Sequence, residues 1–323
     1  MTSHILSSSE EVADFVVIDD VSAFQRRCLL AAVGLGSLIM GCAVTTDDFT
    51  QCVKKPTALW VTMSVVVFFA PLTAYILTVS MQLHSTNGIA LLITACGPSD
   101  ILSAVFAYYT NSDVCLCLTV FMLSTTMAVG FIPCGVLFCS SSFPTLSLAE
   151  IPYDTIVIIL LEGVAGLGVG MAFRKFKEHW ADNFVKVFSW TPLVPVITMI
   201  VMNGILVPHS LHASLDEITA VTIYLLVVLV GTYILGLLTG QGQKTCRAMA
   251  FCAGNKSSIV VLTIIYDSYS GHVLVEALPG PTFLLIVFIG LGCLLSIAYQ
   301  MFNYLKNSSL INLIEKEVGA ENE

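Results

Sequence analysis

The sequence predicts an all-α polytopic membrane protein with nine transmembrane helices, two of them broken at mid-membrane. Three observations carry that reading: too few charges for a soluble surface, nine apolar runs of spanning length, and loop Lys and Arg that favour one side by ten to two, the two being Arg26 and Arg27. Of the 323 residues, 56% are hydrophobic and only 11% are charged. Mean hydropathy is +0.89. A soluble chain carries about 25% charged residues. The formal charge is −9, with acids gathered at the two ends, which excludes a nucleic-acid binder. Most of the 11 cysteines sit inside apolar runs, and no C-x-x-C pair occurs. They read as small apolar filler. The six histidines are scattered without metal-ligand spacing, so no metal centre and no cofactor is expected.

A span needs about 20 apolar residues to cross the hydrocarbon core. The runs lie at 27–45, 57–81, 87–110, 114–139, 151–173, 184–207, 218–241, 245–268 and 276–302. Residues 1–25 form an acidic segment with no apolar run, so the first span is expected to act as its own signal anchor. The expected organisation is an extracellular segment 1–25, a transporter domain 26–305 and a cytoplasmic tail 306–323. Lys54, Lys55, Arg174, Lys175, Lys177, Lys186, Lys244 and Arg247 fall in one set of loops, with Lys306 and Lys316 in the tail. The alternate loops 82–86, 140–150, 208–217 and 269–275 carry none. This puts the N-terminus outside and the C-terminus in the cytoplasm. The plasma membrane is the expected location, since no retention signal ends the chain. The sequon at Asn307 is then cytoplasmic and unused, and Leu310–Val318 reads as a short surface helix.

The third span contains Ala95-Cys96-Gly97-Pro98-Ser99-Asp100-Ile101-Leu102-Ser103, and the eighth contains Phe251-Cys252-Ala253-Gly254-Asn255-Lys256-Ser257-Ser258. Gly97, Pro98 and Gly254 are the helix breaks. Backbone freed at that depth is tolerated only where it is buried in protein or lines a cavity. Paired broken segments in two halves point to the binding site of a secondary transporter built from an inverted repeat. Ser99, Asp100, Ser103, Asn255, Lys256, Ser257 and Ser258 are therefore the candidate substrate- and ion-binding residues. Each break places a charge four residues after its Cys, so Asp100 and Lys256 are expected to pair and lower the ~2.5–3.5 kcal/mol that each costs at a helix centre. Glu162, mid-span in the fifth helix, is a candidate proton site. Gly163, Gly166, Gly168 and Gly170 superficially suggest a dinucleotide loop, but they lie inside a span and read as close helix packing. No nucleophile, base and orienting group occur together, so no enzyme is expected.

These motifs resemble the bile acid:sodium symporter family over residues 25 to 305. Gly41-Cys42, Phe49 and Lys55-Pro56 are similar to its first loop, Pro71-Leu72-Thr73-Ala74 to its second span, and Ile151-Pro152-Tyr153 to the start of its fifth. Cys96, Pro98, Leu102 and Ser103 fall on its C-S-P-G-G-N-L-S-N signature. Cys246-Arg247, Ala250-Phe251 and Gly254 fall on C-R-T-V-A-F-E-T-G-x-Q-N. The resemblance implies a core domain with two crossing broken helices, a panel domain, and an amphipathic organic anion carried between them by alternating access. It also implies two sodium ions, whose ligand positions have changed here. Ser103 remains, but the others fall on Ala104, Cys117, Phe121, Cys252, Lys256 and Val66. Sodium is a hard cation that wants oxygen, so the expectation is altered or absent sodium coupling. The Lys256 ammonium would stand in for the cation, with a proton as the alternative coupling ion. Two other readings stay open. One is an orthodox sodium symporter with ligands moved to Ser99, Asp100, Asn255, Ser257 and Ser258. The other is a non-transporting receptor or scaffold. The expected partners are an organic anion of bile-acid or sulfated-steroid type and the bilayer, with a homodimer left open.

Overall fold

A computed structural model describes residues 23–321, apart from 25, 29, 46, 48–49, 51–55, 143–152, 207–212 and 270. Residues 1–22, Phe49, Lys54-Lys55 and Ile151-Pro152 fall outside the described residues, as do 143–150 and 208–212 of the loops 140–150 and 208–217. The described chain is helical. Helix α1 covers 30–41, α2 is Pro56–Ser64, a π-helical turn covers Val65–Phe69, and α3 is Ala70–Ser80. There follow α4 (Ser85–Cys96), α5 (Leu102–Tyr109), α6 (Val114–Ser142), α7 (Tyr153–Phe176), α8 (Glu178–Phe188) and α9 (Leu193–Leu206). The last five are α10 (Leu215–Leu238), α11 (Gln243–Gly254), α12 (Ser258–Ser268), α13 (Gly271–Ala277) and α14 (Pro279–Glu321).

Thr57–Ser80, Asp154–Phe176, Leu215–Leu238 and Val273–Lys306 are long and apolar enough to cross a bilayer singly. Thr86–Cys96, Val114–Ala128 and Ser258–Ser268 are shorter apolar helices. The third and eighth predicted spans are each divided in two, as their Gly, Pro and polar residues require. The sixth departs from expectation. Residues 184–207 are not one helix, because a turn over 189–192 ends α8 and Pro192 precedes α9. Pro biases the residue before it away from the α region, and α8 is amphipathic, with Ala181 and Val185 buried and Trp180 and Lys186 exposed. The last span also differs: α14 runs on through the tail, so Leu310–Val318 belongs to it.

The larger buried cluster joins α1, α5, α6, α11 and α12, and a second joins the π-helical turn, α3, α4 and α10. The glycines of α7 do what small residues do between membrane helices. A Cβ on Gly166 would stand 2.9 Å from Ser37 Cβ and 3.0 Å from the Leu38 nitrogen. One on Gly170 would collide with the Leu38 carbonyl of α1, whereas one on Gly168 would meet nothing. Polar contacts between loops join segments that the alternation places on one side. Arg26 meets Asp267 at 3.8 Å and His84 meets Glu276 at 3.7 Å, while Arg247 donates to the Thr110 and Asn111 carbonyls.

Candidate functional site

The two broken helices meet backbone to backbone. Helix α4 stops at Gly97, whose extended conformation (φ −60°, ψ 151°) turns the chain away, and Pro98 has no N–H with which to continue. Helix α11 stops at Asn255, also extended, whose N–H still reaches the Phe251 carbonyl. Ser99 and Lys256 then form an isolated antiparallel bridge, and Ser257 N donates to the Pro98 carbonyl at 2.8 Å. Two unwound strands of chain thus satisfy each other where no water can. Side chains tighten the crossing. Ser99 Oγ donates to the Cys252 carbonyl at 2.8 Å, Ser99 N donates to Ser124 Oγ at 3.1 Å, and Asn255 Nδ2 donates to the Asp100 carbonyl at 3.3 Å. Ser103 Oγ closes the first turn of α5 on the same carbonyl at 2.7 Å.

Ser99, Asp100, Ser103, Asn255, Lys256, Ser257 and Ser258 are all buried, and all belong to this crossing or its helix starts. The expected Asp100–Lys256 ion pair is absent among the described residues, whose ion pairs lie elsewhere. Each charge is instead matched to a helix end. The Asp100 carboxylate accepts from Ile101 N at 2.6 Å, at the start of α5, where the helix dipole favours an anion. The Lys256 ammonium, in a residue only 1% exposed, donates to the carbonyls of Gly97 (3.3 Å) and Val66 (3.2 Å). Gly97 ends α4, where the dipole favours a cation.

The Val66 carbonyl is available for a chemical reason. In the π-helical turn the Ala70 N–H goes to the Val65 carbonyl, and the next residue that could reach Val66 is Pro71, which has no N–H. The carbonyl is left without a helical donor, and Lys256 supplies one. Sequence reading found the lysine but not this acceptor, because in an ordinary α-helix Pro71 would free the Val67 carbonyl and only the π-helical turn moves the vacancy to Val66.

Apart from Ser103, the positions that the resemblance assigned to sodium hold sulfur, carbon or the Lys256 nitrogen. Cys252 Sγ lies 3.8 Å from Ser103 Oγ, and Cys117 Sγ lies 3.7 Å from the Ala248 carbonyl. Among these side chains Ser103 alone offers an oxygen, one ligand where a hard cation needs several. This donor set does not fit a hard cation. Beside the crossing lies a cavity of about 350 Å³ whose floor is Gly97, Pro98 and Val66 and whose walls include Phe68, Tyr75 and Phe131. Ser124 is a polar group on its lining. At the crossing itself, Ser257 Oγ is buried without a hydrogen-bond partner.

Glu162 is not at the crossing. Its Oε1 stands 4.0 Å from where a Cβ on Gly34 would lie, so it faces α1, and its Oε2 has no partner. Sequence reading missed a second buried acid. Glu217, 3% exposed at the start of α10, accepts from Asn87 Nδ2 at 3.2 Å. Its signal was the Ser-x-x-Glu start of the helix, where Ser214 Oγ accepts from Glu217 N at 3.2 Å.

The chain is 26% identical to a human sodium-dependent organic anion transporter over 272 residues, covering 84% of this chain and 72% of that one. It is 26% identical to the mouse ileal sodium/bile acid cotransporter over 254 residues, covering 79% and 72%. It is also 26% identical to mouse sodium/bile acid cotransporter 4 over 216 residues, covering 67% and 48%. Residues 32–214 match the model of the sodium bile acid symporter family. The chain belongs to that family of transporters, and not to a family of enzymes.

Proposed function

We propose that the protein carries amphipathic organic anions of bile-acid or sulfated-steroid type by alternating access, without sodium at the family's ion positions. The observation that carries the reading is the Lys256 ammonium held between the Val66 and Gly97 carbonyls. Two carbonyl oxygens converging on a positive charge are what a cation site offers, and here the charge is covalently attached. A tethered cation cannot dissociate, so its concentration gradient cannot drive uptake. Transport is then facilitative, or linked to a proton that Lys256 gains and loses. The largely apolar cavity beside the crossing suits the body of an amphipathic anion, and the start of α12 adds a positive helix end. The proposed frame is nine spans in an inverted repeat, with the N-terminus outside and the plasma membrane as location.

The second reading is a sodium symporter with relocated ligands. It is favoured by the sodium in the relatives' names and by the unpartnered Ser257 Oγ. Lys256→Gln separates the two. Loss of sodium-free uptake, or a changed pH dependence, supports the tethered cation. Sodium-free uptake with an unaltered rate and pH profile in this variant overturns it.

A further inference from the structure

We propose that a groove between α10, α11 and α14 binds an anionic glycerophospholipid, with an acyl chain in the groove and the phosphate at Arg247 and Lys244. The groove encloses about 450 Å³ and is walled by Leu229, Val230, Ala250, Leu295, Ala298 and Phe302. It opens sideways: Val230, Leu295 and Phe302 are 54%, 46% and 65% exposed, and in a membrane protein that exposure faces hydrocarbon.

Its polar end is built from fixed positive charge. Arg247 Nε donates to Ser112 Oγ at 3.1 Å, and its Nη2 donates to the Thr110 and Asn111 carbonyls at 3.3 Å. The guanidinium also lies 4.9 Å from the centre of the Tyr299 ring. All these partners are neutral, so they hold the charge in place without cancelling it. Among the described residues no carboxylate pairs with Arg247. Lys244 stands one turn earlier on the same face of α11, exposed and within electrostatic reach of Tyr299. The first turn of α11 has no side-chain cap at Gly242, so the positive end of the helix dipole adds to the field. An apolar slot open to lipid and closed by two cations matches one occupant chemically: an acyl chain bearing a negative headgroup. The base distribution puts this end on the cytoplasmic side, where anionic lipids concentrate.

The test is native mass spectrometry of the full chain taken from nanodiscs of phosphatidylcholine mixed with phosphatidylserine. Lys244→Gln removes the peripheral charge, and Ala298→Trp fills the groove from an exposed position. Arg247 is left intact because its loss would also untie residues 110–112. The expected result is retention of phosphatidylserine over phosphatidylcholine by about fivefold or more, the factor of one juxtamembrane cation. Lys244→Gln should lower that preference by about fivefold. Ala298→Trp should abolish retention with an unchanged unfolding temperature, and glycerophosphoserine without acyl chains should not compete. Equal retention of both lipids, undiminished retention in Ala298→Trp, or displacement by the free headgroup would each overturn the site.

Discussion

Replacing Lys256 by Met removes the ammonium and leaves two buried carbonyls, Val66 and Gly97, without their donor. A buried polar group stripped of its partner costs about 1–3 kcal/mol. The loss is offset in part by no longer burying a charge. Comparison with Lys256→Gln cancels that relief, since both substitutions discharge the position equally. Gln retains an N–H₂ donor, but its chain is one atom shorter than lysine's. It reaches one of two carbonyls contributed by different segments. The two variants should therefore differ by one orphaned carbonyl, about 1–3 kcal/mol, with Met the less stable. Unfolding in mixed micelles of detergent and dodecyl sulfate reads that difference. Equal stabilities, or a more stable Met variant, would show that the carbonyls do not depend on Lys256.

Other expectations follow from the same geometry. Pro71→Ala supplies an N–H five residues after Val66, so it should lessen the damage of Lys256→Met, with a double-mutant coupling of about 0.5–3 kcal/mol. Additive single effects in the same unfolding assay would argue against the Pro71 account. Exchanging the two charges, Asp100→Lys with Lys256→Asp, should not restore expression or uptake, because each charge answers to its own helix end and not to the other. Recovery in the double variant would reinstate the ion pair. Gly170→Ala should destabilise by about 1–3 kcal/mol through collision with α1. Gly168→Ala, which meets nothing, should stabilise by about 0.5–1 kcal/mol; the reverse order in thermal unfolding would refute the packing. Ser214→Ala should cost about 1 kcal/mol by uncapping α10, and an unchanged melting temperature would contradict that.

The two helix breaks were legible because their cause is local, whereas their crossing came from the family resemblance. Pro98 has no N–H with which to continue a helix, Gly254 opens a polar stretch at mid-span, and polar residues at mid-membrane must turn inward. The glycines of α7 were legible for the same reason: a run of small residues in a span permits close approach. The partner of Lys256 was not legible. Asp100 and Lys256 look matched as opposite charges at like positions in two broken helices. What decides is the direction of each helix end, which places the carboxylate on the Ile101 N–H and the ammonium on the Gly97 carbonyl. The Val66 carbonyl depends on a π-helical turn, and hydropathy carries no sign of it. The sixth span was misread because the amphipathic helix α8 and the apolar helix α9 give one continuous hydropathic signal. Only Pro192 marks the turn between them.

The most direct test of a tethered cation is uptake of a labelled conjugated bile acid and a labelled sulfated steroid into cells expressing the chain. Medium containing sodium, choline, or choline with an imposed inward proton gradient would be compared. Uptake in choline equal to that in sodium, lost on substitution of Lys256, is the expected result. Uptake that requires sodium would contradict it, and would place the ion on relocated oxygens of the crossing such as Ser257 Oγ.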